Sequence, residues 1–66
     1  MKIIANDQEF ELENRCSLED FLTSIGHQLG LVVVERNHRA LSPSEAKEAV
    51  LQDGDRLEIV RIVAGG

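Results

Sequence analysis

The amino-acid sequence predicts a two-layer α+β domain in which one helix covers one face of one sheet. Three observations predict it. Short runs with alternating or β-branched character recur at Met1–Ala5, Gln8–Glu13, Leu31–Glu35 and Arg56–Val63. A single segment, Ser17 to Gly26, carries a long apolar stripe at helical spacing. A chain of 66 residues with one cysteine has room for one small core and cannot staple it with an internal disulfide.

Met1–Ala5 places Met1, Ile3 and Ala5 on one side and Lys2 and Ile4 on the other. Asn6-Asp7 is turn chemistry. In Gln8–Glu13, Phe10 and Leu12 alternate with Glu9, Glu11 and Glu13, a half-buried strand that completes an N-terminal hairpin. Ser17-Leu18-Glu19-Asp20 resembles a capping box with Asp in place of the usual Glu. Leu18, Phe21, Leu22 and Ile25 then line one helix face, and Gly26 is placed to end the helix. His27–Gly30 is a connection. Leu31–Glu35 is a strand, apolar on both parities at first, followed by a turn at Asn37-His38 and a short strand at Ala40-Leu41. Ser42-Pro43-Ser44-Glu45 combines an N-cap serine, proline at the first helical position and glutamate at the third, and so opens a short helix to about Val50. Asp53-Gly54-Asp55 is a turn into the last strand, Arg56–Val63. The helix after the hairpin is a crossover that lets the last strand pair with the first.

The last strand reaches no turn signal. It runs on as Val63-Ala64-Gly65-Gly66. Residues 63–66 are expected to form a flexible, extended tail reaching about 13 Å beyond the body. Glycines carry no Cβ to obstruct a narrow channel, and the tip presents one chemical group, the α-carboxylate of Gly66. A frayed end is the plain alternative, but the pair directly follows a strongly apolar strand in a very short chain, which favours a function. If Leu57 and Ile59 face the helix, then Ile4, Val60 and Ile62 face away from it and form an exposed apolar patch, read as a docking surface that presents the tail.

The formal net charge of −5 argues against a phosphate-backbone partner and permits a partner with a basic face. With two Phe and no Trp or Tyr there is no stacking platform for bases. No secretory signal or membrane-spanning run is read, and the composition suits a reducing cytoplasm. Cys16 precedes the helix N-cap and is read as a hydrophobic staple against Phe21 rather than a nucleophile. His27 and His38 fall in loops and are expected to be solvated. The alternating glutamates of the second strand are a solvated face. No metal site, phosphate loop or nucleophile with its base is present in the pattern, so a non-enzyme is expected. The remaining chemistry belongs to the terminal carboxylate. It is a poor electrophile until converted to an acyl-adenylate, after which a sulfur nucleophile gives a thiocarboxylate and an amine gives an amide.

Over its whole length the chain resembles the ubiquitin-like, β-grasp sulfur carriers of the thiamine pathway (ThiS-type). The resemblance rests on Ser17-Leu18-Glu19-Asp20-Phe21-Leu22, Val34-Glu35-Arg36-Asn37, Pro43 and Leu51-Gln52-Asp53-Gly54-Asp55. It rests above all on Leu57-Glu58-Ile59-Val60 leading to Val63-Ala64-Gly65-Gly66. It implies a single β-grasp domain over residues 1–66, with a mixed sheet of about five strands, one main helix and the Gly-Gly tail. It further implies that an E1-like, ThiF-type adenylyltransferase activates Gly66 with ATP. A donor such as a cysteine desulfurase then supplies sulfur, and a ThiG-type thiazole synthase receives it. Val63, Ala64 and Gly65 would thread into the partner. No bound cofactor is implied, and the free protein is expected to be monomeric. Asn6-Asp7 and Asn37-His38 stand where the family often has Asn-Gly, which leaves the type of both turns open. The alternatives are the small-subunit carrier of molybdopterin synthase or of another thiocarboxylate pathway and, in a different class, a protein modifier or a plain β-grasp interaction module.

Overall fold

A computed structural model describes residues 1–63. The elements are β1 (Lys2–Ala5), β2 (Gln8–Glu11), α1 (Leu18–Ser24), a 3-10 turn (Leu29–Leu31), β3 (Val32–Arg36), β4 (Arg39–Ala40), α2 (Pro43–Glu48) and β5 (Arg56–Arg61). The five strands form one mixed sheet in the order β2-β1-β5-β3-β4. β1 pairs with β2 antiparallel and with β5 parallel. β3 is antiparallel to both β5 and β4. The expected pairing of first and last strands therefore holds, and β5 lies in the middle of the sheet. Boundaries differ from the sequence reading by one or two residues. β2 stops at Glu11, and β5 stops at Arg61. Leu31 ends the 3-10 turn rather than opening β3. Among the described residues no helix is long and apolar enough to cross a membrane.

The core lies between the sheet and α1. Ile3, Leu57 and Ile59 from the sheet meet Leu18, Phe21 and Leu22 from the helix, all buried. The Phe10 ring packs edge-on against Phe21 with centroids 5.1 Å apart, a geometry that favours the aromatic quadrupoles. At the start of α1, Ser17 Oγ accepts the Asp20 N–H at 3.0 Å. Among the described residues no return bond comes from the Asp20 side chain, which is one methylene shorter than Glu. In α2 the Glu is present and the box closes in both directions, with Ser42 N donating to Glu45 Oε1 at 2.8 Å and Glu45 N donating to Ser42 Oγ at 3.1 Å. α1 ends as the glycine predicts. Gly26 has φ +89°, its N–H reaches Thr23 O at 3.1 Å, and His27 N–H reaches Leu22 O at 2.8 Å, a Schellman arrangement.

Both short hairpins turn through two consecutive residues of positive φ, Asn6 and Asp7 (49° and 66°) and Asn37 and His38 (51° and 70°). These are type I′ turns made without glycine. The asparagines offset part of the strain by acting as extra strand rungs. Asn6 continues the β1 side of the ladder past Ala5, accepting Ile59 N–H at 2.7 Å and donating to Ile59 O at 3.1 Å. Asn37 accepts Arg56 N–H at 2.9 Å. Among the described residues His38 has no such compensation. His38→Gly is therefore expected to raise stability by about 1 kcal/mol, because glycine adopts the left-handed region without a Cβ clash. A higher urea midpoint at unchanged slope would bear this out, and a lower midpoint would count against it.

Asp55 ties three segments together. It is buried, accepting Gln52 N–H at 2.8 Å and Asn37 Nδ2 at 3.1 Å, while Arg36 approaches with Nε at 3.0 Å and Nη2 at 2.7 Å. Arg36 Nη2 also donates to Val50 O at 2.8 Å. Burial pushes the Asp55 carboxyl up. The donors from Gln52, Arg36 and Asn37, with the Arg36 charge, outweigh that and hold it below the usual carboxylate range.

Candidate functional site

The site is built on the outer face of β3 and β5, the face that α1 leaves bare. Antiparallel register sets Val33 opposite Val60 and Glu35 opposite Glu58. One step beyond the strand ends, Ile62 N–H bonds Leu31 O at 2.9 Å. The face therefore carries two apolar rungs at the tail end and an acidic rung behind them. Val60 is 61% exposed, Ile62 54% and Leu31 57%, a large apolar content for one corner of so small a body. Beside it, Val33 and Ile62 also line an apolar groove of about 310 Å³ that continues over Leu41, Pro43 and Ala46.

The expected patch of Ile4, Val60 and Ile62 needs one correction. Ile4 does face outward, but its partner in register is Arg56, at the opposite end of β5. Four residues of strand, about 13 Å, separate that level from Val60. Ile4 is half-buried and lines a different, smaller depression with Lys2, Asp53 and Gly54. The members that stand with Val60 and Ile62 are Val33 and Leu31. Val33 was legible as the outward parity of the Leu31–Val34 run, which is apolar on both sides. Leu31 shares that parity with Val33, although it ends the 3-10 turn rather than lying within β3.

Val63, two residues beyond the end of β5, is 83% exposed. The expectations placed on Ala64, Gly65 and Gly66 lie outside the described residues. Cys16 is half-buried and packs against the core, and its thiol is pushed up by burial and by the Asp20 carboxylate. That is the opposite of what a reactive thiolate needs. His38 is exposed, whereas His27 is half-buried behind the end of α1. Among the described residues no group of three His, Cys, Asp or Glu is placed to hold a metal ion.

Comparison with known proteins turns this geometry into a family assignment. The model of the ThiS family matches residues 1–66, the whole chain. The chain belongs to the ThiS family. Its fold is that of a ThiS thiamine biosynthesis protein from Geobacter metallireducens, whose crystal structure superposes with a TM-score of 0.79 at 22% identity and full coverage of both chains. Among curated proteins, a thiazole synthase of Paramagnetospirillum magneticum is 33% identical over 66 residues and one of Magnetococcus marinus 35% identical over 66 residues. Each comparison spans all of this chain and 20% of the longer protein, so the chain covers about a fifth of those relatives. The mixed sheet with one main helix is the β-grasp arrangement.

Proposed function

We propose that this chain carries sulfur on the Gly66 carboxylate for thiazole formation in thiamine biosynthesis. The carboxylate attacks the α-phosphorus of ATP in an E1-like, ThiF-type adenylyltransferase and releases pyrophosphate. The outer sulfur of a persulfide on a donor such as a cysteine desulfurase attacks the acyl carbon and displaces AMP, and a thiol reductant then cleaves the resulting acyl disulfide, releasing the thiocarboxylate and a disulfide. A ThiG-type thiazole synthase then takes the sulfur. The protein is a co-substrate in this scheme, and ATP is used by its partner. Val63, Ala64 and Gly65 form the narrow lead that enters the partner, and Val60 and Ile62 rest against it outside.

The observation that carries this reading is the family match across residues 1–66, a span that ends in Ala64-Gly65-Gly66. Two features add support. β5 delivers Val63 into solvent beside an exposed apolar corner. The likeness to a fifth of two proteins named thiazole synthase favours thiazole formation as the destination of the sulfur. The test is intact-mass spectrometry after incubation with the adenylyltransferase, ATP and a sulfur donor. The expected product has gained the mass difference of one sulfur for one oxygen. An unchanged mass under conditions that convert a control carrier would refute the proposal, and adducts on lysines would point to a protein modifier instead.

A further inference from the structure

Glu35 and Glu58 face one another directly across the β3–β5 ladder, and both are exposed. Like charges in directly opposed positions destabilise a sheet. Nothing among the described residues relieves this pair. Among the described residues neither carboxylate has an ion-pair partner within 4.0 Å. On the β4 side Glu35 stands opposite Ala40. The outward cation nearest along β5, Arg56, directs its guanidinium to Asp7 at 3.3 Å. The Asn6 side chain, on the β1 side, is engaged with Ile59. A chain this small would gain stability from one cation on that rung, and it does not carry one. Local rules broken without a local compensation point to a functional surface.

The next rungs along the same two strands are Val33–Val60 and Leu31–Ile62, both apolar. We infer that this face is a composite docking surface whose partner presents an apolar projection for the valine rung and two arginine or lysine side chains for the Glu35–Glu58 rung. Charge complementarity selects the occupant. The acidic rung repels an acidic surface, a second copy of this chain included, and the apolar rungs give a purely charged partner nothing to bury. The acid pair steers encounter and fixes register, while the valines and Ile62 exclude water. The inference rests on the proposed function in one respect, that the partner is the enzyme that activates the tail.

The test measures binding of the full chain to the purified E1-like adenylyltransferase of the same organism, by interferometry without ATP, at low and high salt. Glu35→Lys converts the like pair into an opposed pair. It is expected to raise the melting temperature by about 2–5 °C while weakening binding about tenfold at low salt. Glu35→Gln with Glu58→Gln should weaken binding similarly and flatten its salt dependence, without loss of stability. A variant that is more stable yet binds less tightly cannot be explained by damage to the fold. Unchanged affinity and salt dependence in both variants would overturn the inference, and so would the absence of wild-type binding. If wild-type binding shows the expected charge dependence but intact-mass analysis never detects a thiocarboxylate, the docking inference stands and the sulfur-carrier proposal fails.

Discussion

Deletion of Gly65 and Gly66 is expected to abolish adenylation and sulfur loading while leaving the folded body intact. The deletion moves the terminal carboxylate to Ala64 and withdraws it by about 7 Å. It also replaces a residue without a side chain by one with a Cβ at the reacting end. A misplacement of 1 Å can already reduce a rate by roughly 10²-fold, so no turnover is expected above background. The fold should not register the change. Among the described residues every buried core residue lies between Ile3 and Ile59, and the stability change is expected to stay within about 0.5 kcal/mol. Pyrophosphate exchange and intact mass read the first effect, and urea denaturation reads the second. Continued sulfur loading of the shortened chain would show that the reacting group is not the tail carboxylate.

The second large effect concerns the body. Asp55→Ala is expected to remove about 3 kcal/mol of stability, because it strands Arg36, Asn37 and the Gln52 N–H around an emptied site. A chain of 66 residues has a total of about 3–10 kcal/mol by per-residue scaling, so the variant should lose about a third or more of its stability. The same contacts predict a pH dependence. Asp55 has a folded pKa below its unfolded one. Its contribution is therefore complete above the unfolded value of about 3.9 and is lost as pH falls through that value toward the folded one. Asp55→Asn keeps the shape without the titration. Its deficit relative to the wild type should be full at neutral pH and shrink on acidification below about pH 4. Glu45, whose capping bonds also lower its pKa, contributes an acid slope of the same sign in both proteins. A gap between wild type and Asp55→Asn that stays constant from pH 7 to pH 3 would contradict this account.

How far the sequence could be read depended on the range of the interaction. The two helix starts were legible because caps are local, Ser17 with Asp20 and Ser42 with Glu45. The inward parity of Leu57 and Ile59 followed from alternation. Ile4 could not be placed, because alternation names a face but not a position along it. The offset between parallel strands is set by long-range contacts such as Ile4 N–H to Asp55 O at 2.9 Å. Asp55 itself read only as a turn residue, since its burial exists only when the β3–β4 turn, the segment after α2 and the start of β5 converge. The type I′ turns were open for a related reason. Asn6 tolerates its strained backbone with help from Ile59, a residue far away in sequence.

The placement of β5 between β1 and β3 has a mechanical consequence. Any protein that grips residues beyond Val63 pulls along β5, and the load falls in shear on the bonds to both neighbouring strands together. A pull applied at β2, an edge strand, would instead unzip one rung after another. Single-molecule extension should therefore require a clearly higher force from the C-terminal side than from residues 12–14, and equal forces would refute the idea. A load on the C-terminal side can thus be borne without tearing open the domain behind it.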